Sequence, residues 1–353
     1  RRMGTPKQLL RMGGETILQR TLRNVRDSNV SEIILVLGHA AEDVRKMIAT
    51  ERLVVVVNSD YQQGMGTSLR TGLAAVDAEA ALIVLADQPW ISPDTFNRLI
   101  KCHQERKPQI IVPIYRGFRG NPVLLDRSVF AEVKALSGDV GCRAIFGDHT
   151  EGIVKLPVDD PGILLDIDSR DDLESMSAAA ERDASEKSTE SGIAVLECRE
   201  GIVPGLRELV LVGRDAVVQA MTKLGRLLNF TVTLVDPFLR LAELPEADRI
   251  LHALDFSLLP PASERYCMVA SRGQFDEEAV QQAALVDSSY IALLANKKRA
   301  QEVIRSLGAQ SIPAAKLAAV RAPAGLSIGA ESPEEIALSI MAEIVATRRS
   351  RER

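Results

Sequence analysis

The chain has 353 residues, 46% of them hydrophobic and 26% charged, with a formal net charge of −5. That length suits about two domains, and the balance is that of an ordinary soluble globular protein. The modest negative charge excludes a broad electrostatic grip on nucleic acid or an anionic membrane, but not a local basic pocket for one triphosphate.

No apolar run approaches the ~20 residues that cross a bilayer, and the N-terminus lacks a signal-peptide pattern. Cys102, Cys142, Cys198 and Cys267 stand far apart with no CxxC pair, which reads as reduced thiols in a cytoplasmic protein. The chain opens on the basic turn Arg1-Arg2-Met3-Gly4. An α/β domain needs a strand ahead of such a turn, so the first strand of the N-terminal sheet is expected to be missing.

From Ser31 to Leu165 short β-branched runs alternate with amphipathic stretches. Glu32–Leu37, Leu53–Val57, Ala81–Leu85 and Gln109–Val112 read as strands buried on both faces. Between them, Ala41–Ile48, Thr67–Val76, Pro93–Arg106 and Arg127–Leu136 read as helices. The alternation implies βαβ units on a mainly parallel sheet, with sites at the strand carboxyl ends. Ser175–Ser191 is small, charged and unable to bury a core, so it reads as a linker. A second α/β pattern follows: strands at Glu208–Val212, Thr231–Val235, Tyr266–Ala270 and Tyr290–Leu294. Its helices are Ala216–Leu228, Glu277–Ala284, Lys297–Leu307 and Pro333–Ala346.

Three clusters fall where a doubly wound sheet places a site. In Arg2-Met3-Gly4-Thr5-Pro6-Lys7-Gln8, Gly4 permits a tight turn with backbone N–H groups facing phosphate, while Arg2 and Lys7 supply positive charge. The same residues also read as a basic tail. In Ala86-Asp87-Gln88-Pro89, Asp87 ends a strand and is placed to hold Mg²⁺, or to cap the next helix. In Leu165-Asp166-Ile167-Asp168-Ser169, two carboxylates share one side of an extended segment. One of the two completes a metal's oxygen shell, or Asp168 caps the helix expected at Ser169–Met176, or both. Nucleotidyl transfer needs metal ligands, cations on phosphate and alignment rather than a protein nucleophile.

These stretches, with Gln63-Gly64-Met65-Gly66-Thr67-Ser68, Arg119-Gly120-Asn121-Pro122 and Gly138-Asp139-Val140-Gly141, resemble the MobA-like nucleotidyltransferases over residues 1–176. Lys7-Gln8-Leu9-Leu10 and Asp87-Gln88-Pro89 look most like the molybdenum cofactor cytidylyltransferases. The resemblance implies a Rossmann-like nucleotidyltransferase sheet, with CTP and molybdopterin as substrates and Mg²⁺ as cofactor. It implies that Arg2 and Lys7 bind phosphates and that Asp87 and Asp168 hold the metal. Gly4, Ser68, Arg119, Asn121, Gly138 and Asp139 would shape the nucleotide and pterin pockets. The family's Ala-Ala-Gly loop, which contacts the base, is absent from these residues.

After a linker and lead-in at 177–205, Val212-Gly213-Arg214-Asp215-Ala216-Val217-Val218 stands where a dinucleotide-binding glycine turn belongs. Asp215 and Val218 occupy positions that an intact fingerprint gives to glycine. Asp236, about 20 residues on, is placed to bind a ribose or to make a turn before Pro237. The closing run Arg321-Ala322-Pro323-Ala324-Gly325-Leu326-Ser327-Ile328-Gly329-Ala330-Glu331-Ser332-Pro333-Glu334-Glu335-Ile336-Ala337 resembles the XdhC family, accessory proteins of xanthine dehydrogenase. That likeness covers residues 206–347 and implies a C-terminal Rossmann-like domain that carries the cofactor to an apo molybdenum hydroxylase. Lys297, Lys298 and Arg299 would meet phosphate there, or form the solvated start of a helix. His39, His103, His149 and His252 form no ligand pair, and Trp90 either lines the pocket or anchors packing. The expected activity is CMP transfer from CTP to molybdopterin with release of pyrophosphate. The rivals are a guanylyl- or sugar-phosphate nucleotidyltransferase and a non-catalytic chaperone of molybdenum hydroxylases.

Overall fold

Runs of four to six β-branched and aliphatic residues are too short for helices and become strands, while the amphipathic stretches between them wind over the sheets. The computed structural model describes residues 7–12, 14–48, 53–167, 195–199, 207–308, 312 and 314–351. Arg2, Gly4, Asp168, the expected helix Ser169–Met176 and the expected linker Ser175–Ser191 lie outside the described residues. The chain divides into two units, residues 1–115 with 119–191, and residues 116–118 with 192–353.

In unit 1, a hairpin of β1 (Arg11–Met12) and β2 (Glu15–Thr16) leads into α1 (Ile17–Arg26). This helix was not expected from the sequence. Its signal is a capping box: the Thr16 hydroxyl accepts from the Gln19 N–H at 3.2 Å, and Gln19 Oε1 accepts from the Thr16 N–H at 2.8 Å. Its inner face buries Ile17, Leu18, Thr21, Leu22 and Val25.

Strand β3 (Ile34–Leu37) pairs in parallel with β4 (Val54–Val57) around α2 (Ala41–Met47). Contrary to the sequence expectation, these strands are not buried on both faces. Val54 and Val57 are 39% and 56% exposed, because among the described residues β3 and β4 form a separate two-stranded sheet.

The second sheet holds β5 (Ala80–Ile83), β6 (Ile110–Tyr115), the short β7 (Phe118–Arg119), β8 (Val123–Asp126) and β9 (Ile153–Pro157). It corrects the mainly parallel expectation. Strand β8 lies between β5 and β6 and is antiparallel to both, while β9 is parallel to β6. Helices α3 (Met65–Ala74) and α4 (Pro93–Arg106) cover these strands. The expected Arg127–Leu136 helix is a 3-10 turn, Arg127–Val129, followed by α5 (Phe130–Ala135).

The join is set by Asp126, whose Oδ1 accepts the N–H and hydroxyl of Ser128 at 2.9 and 2.6 Å. Its Oδ2 lies 2.8 Å from Nε2 of buried His103. Burial works against the carboxylate, but the Ser128 and His103 hydrogen bonds outweigh it and hold its pKa below the usual value. A depressed folded-state pKa stabilises above the unfolded value of about 4 and is lost as pH falls through the folded one. Asp126→Asn is therefore expected to make unit 1 stability less pH-dependent below about pH 4, as read by circular dichroism during acid titration.

Unit 2 is built on one sheet of β10 (Leu196–Cys198), β11 (Arg207–Val212), β12 (Thr231–Val235), β13 (Arg249–Leu251), β14 (Glu264–Val269), β15 (Tyr290–Leu293) and β16 (Val320–Arg321). The order is β10-β13-β12-β11-β14-β15-β16, parallel except for edge strand β10. Successive connections leave β11 in opposite directions, so a crevice opens at the carboxyl ends of β11 and β14. The helices are α6 (Ala216–Leu227), α7 (Asp276–Leu285), α8 (Lys297–Gly308), α9 (Ala314–Ala318) and α10 (Pro333–Arg351). Leu209, Leu211, Val218, Met221, Ile340 and Ile344 join one buried core. None of the described helices is long and apolar enough to cross a membrane.

Candidate functional site

Lys7 stands in a 3-10 turn, Lys7–Leu9, and Asp87 follows the carboxyl end of β5. Helix α1 holds the Asp87 turn from below. The Asn24 amide donates to the carbonyls of Pro89 and Ile91 at 2.9 and 3.0 Å, and the Thr21 hydroxyl reaches that of Ala86 at 3.4 Å. The result is an ion pair of Lys7 Nζ with Asp87 Oδ2 at 2.5 Å, the side chains 30% and 16% exposed. The Ile167 N–H donates to the Asp87 carbonyl at 3.1 Å, which brings half-buried Asp166 beside the same turn. Ile167 packs with Leu10, Ile17 and Trp90, so the indole serves here as a packing anchor. Residues from three separate sequence clusters thus converge on one end of unit 1.

Asp160 organises this end and went unnoticed in the sequence. Its buried carboxylate accepts from the Ser92 N–H at 2.9 Å, the Thr95 hydroxyl at 2.5 Å and the Gly162 N–H at 2.9 Å. It ties the turn before α4 to the segment leading toward Asp166. The available signal was the turn sequence Asp160-Pro161-Gly162.

A second group lies between the end of β4 and the start of α3. Buried Asn58 donates to the hydroxyls of Thr67 and Ser68 at 2.8 and 3.0 Å. The Gly66 N–H donates to the Gly138 carbonyl at 3.1 Å, and the Met65 N–H to Asp139 Oδ1 at 3.4 Å. The structure therefore joins Ser68, Gly138 and Asp139 at the start of α3. Arg119 is buried with its guanidinium 5.2 Å from the centre of the Phe146 ring, and the Asn121 N–H donates to the Ile163 carbonyl at 3.0 Å.

Gly64 is required by this arrangement. Its φ is +112°, and a Cβ would lie 2.3 Å from the Gly138 carbonyl carbon. Gly64→Ala is expected to displace the 138–139 loop and weaken nucleotide binding by about tenfold or more, roughly 1.4 kcal/mol, as read by calorimetric titration.

Among the described residues, no three His, Cys, Asp or Glu side chains are placed to hold a metal together. Mg²⁺ asks less, one or two carboxylates completed by substrate phosphate and water. Asp87, partly open and at a strand carboxyl end, fits that donor set.

In unit 2, Gly213 has φ +117°, and a Cβ there would meet the Ala270 carbonyl at 2.5 Å. Asp215 caps α6 by accepting the Val218 N–H at 3.0 Å, so its carboxylate takes a place that a bound pyrophosphate would need. Asp236 is buried, and its Oδ1 accepts from Phe238 and Leu239 at 2.8 and 3.2 Å. It makes the turn that the sequence offered as the alternative to ribose binding, with Arg214 Nε 3.9 Å from its other oxygen.

Lys297 is exposed at the start of α8, whereas Arg299 turns inward to buried Asp276 at 3.0 Å and Glu277 at 2.9 Å. Burial opposes its charge, but the two carboxylates outweigh burial and hold the guanidinium pKa above its ordinary value. His252 is fully buried, with burial pushing its pKa down against Glu197 at 3.7 Å. Burial likewise pushes the Cys142 and Cys267 thiols up to about 12, so neither is a ready nucleophile.

Residues 1–153 match the family model of the MobA-like NTP transferase domain, and residues 209–344 that of the XdhC Rossmann domain. The molybdenum cofactor cytidylyltransferase of Escherichia coli K12 is 28% identical over 174 residues, covering 48% of this chain and 86% of that protein. The nicotine blue oxidoreductase of Paenarthrobacter nicotinovorans is 32% identical over 147 residues, covering 39% and 71%. The crystal structure of an Rv0371c homologue from Mycobacterium sp. strain JC1 is 32% identical, covers 51% of this chain and 91% of that one, and has a TM-score of 0.46. The chain belongs to the MobA-like nucleotidyltransferases through its first unit and carries an XdhC Rossmann domain in its second.

Proposed function

We propose that unit 1 transfers CMP from CTP to the terminal phosphate of molybdopterin, releasing pyrophosphate, and that unit 2 carries the product to an apo molybdenum hydroxylase. The observation that carries the reading is the Lys7–Asp87 pair at the end of β5, where the Asp166–Ile167 segment is also anchored. Asp87 would hold Mg²⁺, which supplies charge stabilisation on the transferring phosphoryl group when bound. Lys7 would neutralise the departing pyrophosphate. Arg2, Gly4 and Asp168 belong to the same reading as phosphate and metal contacts. Ser68, Arg119, Asn121, Gly138 and Asp139 would shape the pockets, and no protein nucleophile is needed.

The similarity to a cytidylyltransferase supports cytosine as the base. In unit 2, the Asp215 cap argues against a dinucleotide on the glycine turn. Lys297 is left as the proposed phosphate contact, with Asp236 as a structural turn.

The test is pyrophosphate release by the purified protein with Mg²⁺, molybdopterin and either CTP or GTP. Release with CTP at least tenfold faster than with GTP is expected; equal rates, or none, would sink the assignment. The similarity to an oxidoreductase favours one second reading, in which the pocket serves oxidoreduction without nucleotidyl transfer. That reading expects ligand binding with no pyrophosphate released.

A further inference from the structure

Gln88 stands between Asp87 and Pro89, and it is buried, with 3% of its surface exposed. A glutamine offers one carbonyl acceptor and two N–H donors, and a buried amide is ordinarily bonded at both ends. Here Oε1 is closed off from solvent with no hydrogen-bond partner, and Nε2 makes no hydrogen bond among the described residues. The backbone holds the residue in this place. The Thr21 hydroxyl reaches the Ala86 carbonyl at 3.4 Å, the Ile167 N–H donates to the Asp87 carbonyl at 3.1 Å, and the Asn24 amide donates to the Pro89 carbonyl at 2.9 Å. Pro89 further restricts Gln88 to an extended conformation. The carbonyls on either side of Gln88 are thus pinned, and the main chain does not swing to bring the amide to water.

An unbonded amide in the interior is less stable than an apolar side chain of the same length. Methionine would fill this space without that cost. A destabilising polar group kept one residue from Asp87 is the pattern of a binding site, where stability is given up for a contact to ligand.

The shape of the unmet demand narrows the ligand. Oε1 calls for a donor and Nε2 for an acceptor, side by side in one plane. Phosphate offers acceptors only, and a metal ion offers nothing to Nε2. The edge of a nitrogen heterocycle satisfies both atoms at once, through an N–H beside a carbonyl or ring nitrogen, as when glutamine takes the edge of adenine. We propose that Gln88 is a binding residue that reads such an edge on a substrate of unit 1. The proposal rests on the nucleotidyl-transfer reading above, which supplies two sources of that chemistry: the cytosine of CTP and the pterin of molybdopterin.

Gln88→Met in the full chain keeps the length of the side chain and removes both polar ends. The unit 1 melting transition is expected to rise by roughly 2–6 °C, because a buried unbonded amide is gone. Calorimetric titrations with CTP and Mg²⁺, and separately with molybdopterin, are expected to show one affinity reduced roughly 10–100-fold, the worth of a paired heterocycle edge. The other affinity should hold. Loss confined to CTP assigns the edge to cytosine, and loss confined to molybdopterin assigns it to the pterin. A merely structural amide, bonded through buried water, would move the melting transition the other way. A variant that melts at or below the parent, or two affinities that both stay within about threefold of the parent's or fall alike, would overturn the inference. A parent that binds neither ligand overturns it together with the reading on which it rests. A parent that binds, with a variant that binds equally well, overturns this inference alone.

Discussion

Asp87→Asn is expected to lower CTP-dependent pyrophosphate release by on the order of 10²–10³-fold, the range seen when one electrostatic contact to a transition state is removed. The substitution keeps the shape of the side chain and removes its charge. Lys7 then loses its 2.5 Å ion pair, and the proposed Mg²⁺ loses one of its carboxylates. Stability should barely change, because exposed or half-exposed ion pairs contribute about 0–1 kcal/mol. Steady-state kinetics beside a melting curve separates the two effects. A loss below about threefold would mean that this carboxylate does not serve the chemistry. A large fall in melting temperature would make the pair structural.

Glu208→Ala is expected to destabilise unit 2 by about 3–5 kcal/mol, the cost of removing one member of a buried charge network. Glu208 is 1% exposed. Its Oε2 lies 2.7 Å from Arg265 Nε and its Oε1 3.3 Å from Arg249 Nη1, while the Thr233 hydroxyl donates to Oε1 at 2.8 Å. The alanine would leave two buried guanidinium groups without this carboxylate. Scanning calorimetry should show the unit 2 transition lowered by on the order of 10 °C. Glu208→Gln, which preserves an acceptor for Thr233, should fall between alanine and the parent. A shift under about 2 °C for the alanine would show that water or rearranged partners satisfy both arginines.

Local pattern was sufficient for much of the architecture. The strands Glu208–Val212 and Thr231–Val235 lie within a residue of the observed Arg207–Val212 and Thr231–Val235. Helix Pro93–Arg106 matches its expected bounds, with Ser92 as cap, Pro93 in the first turn and Arg106 in the last. These features depend on residues within a few positions of one another, so they are written in order along the chain. Asp87 at the end of its strand was legible for the same reason.

What the sequence by itself determined was thus the two α/β patterns, the placement of most helices and strands, and the motifs that carry the family resemblance. The tertiary structure alone decided what pairs across distance. It placed β8 antiparallel between β5 and β6 and brought Lys7 across 80 positions to Asp87. It made Asp160 the tie between the start of α4 and the Gly162 turn, and turned Asp236 inward to its own backbone. A carboxylate has the same acceptors wherever it stands in the sequence. Whether it caps a turn, pairs with a cation or is left for a metal depends on which donors folding brings within about 3 Å, and no local pattern encodes that distance.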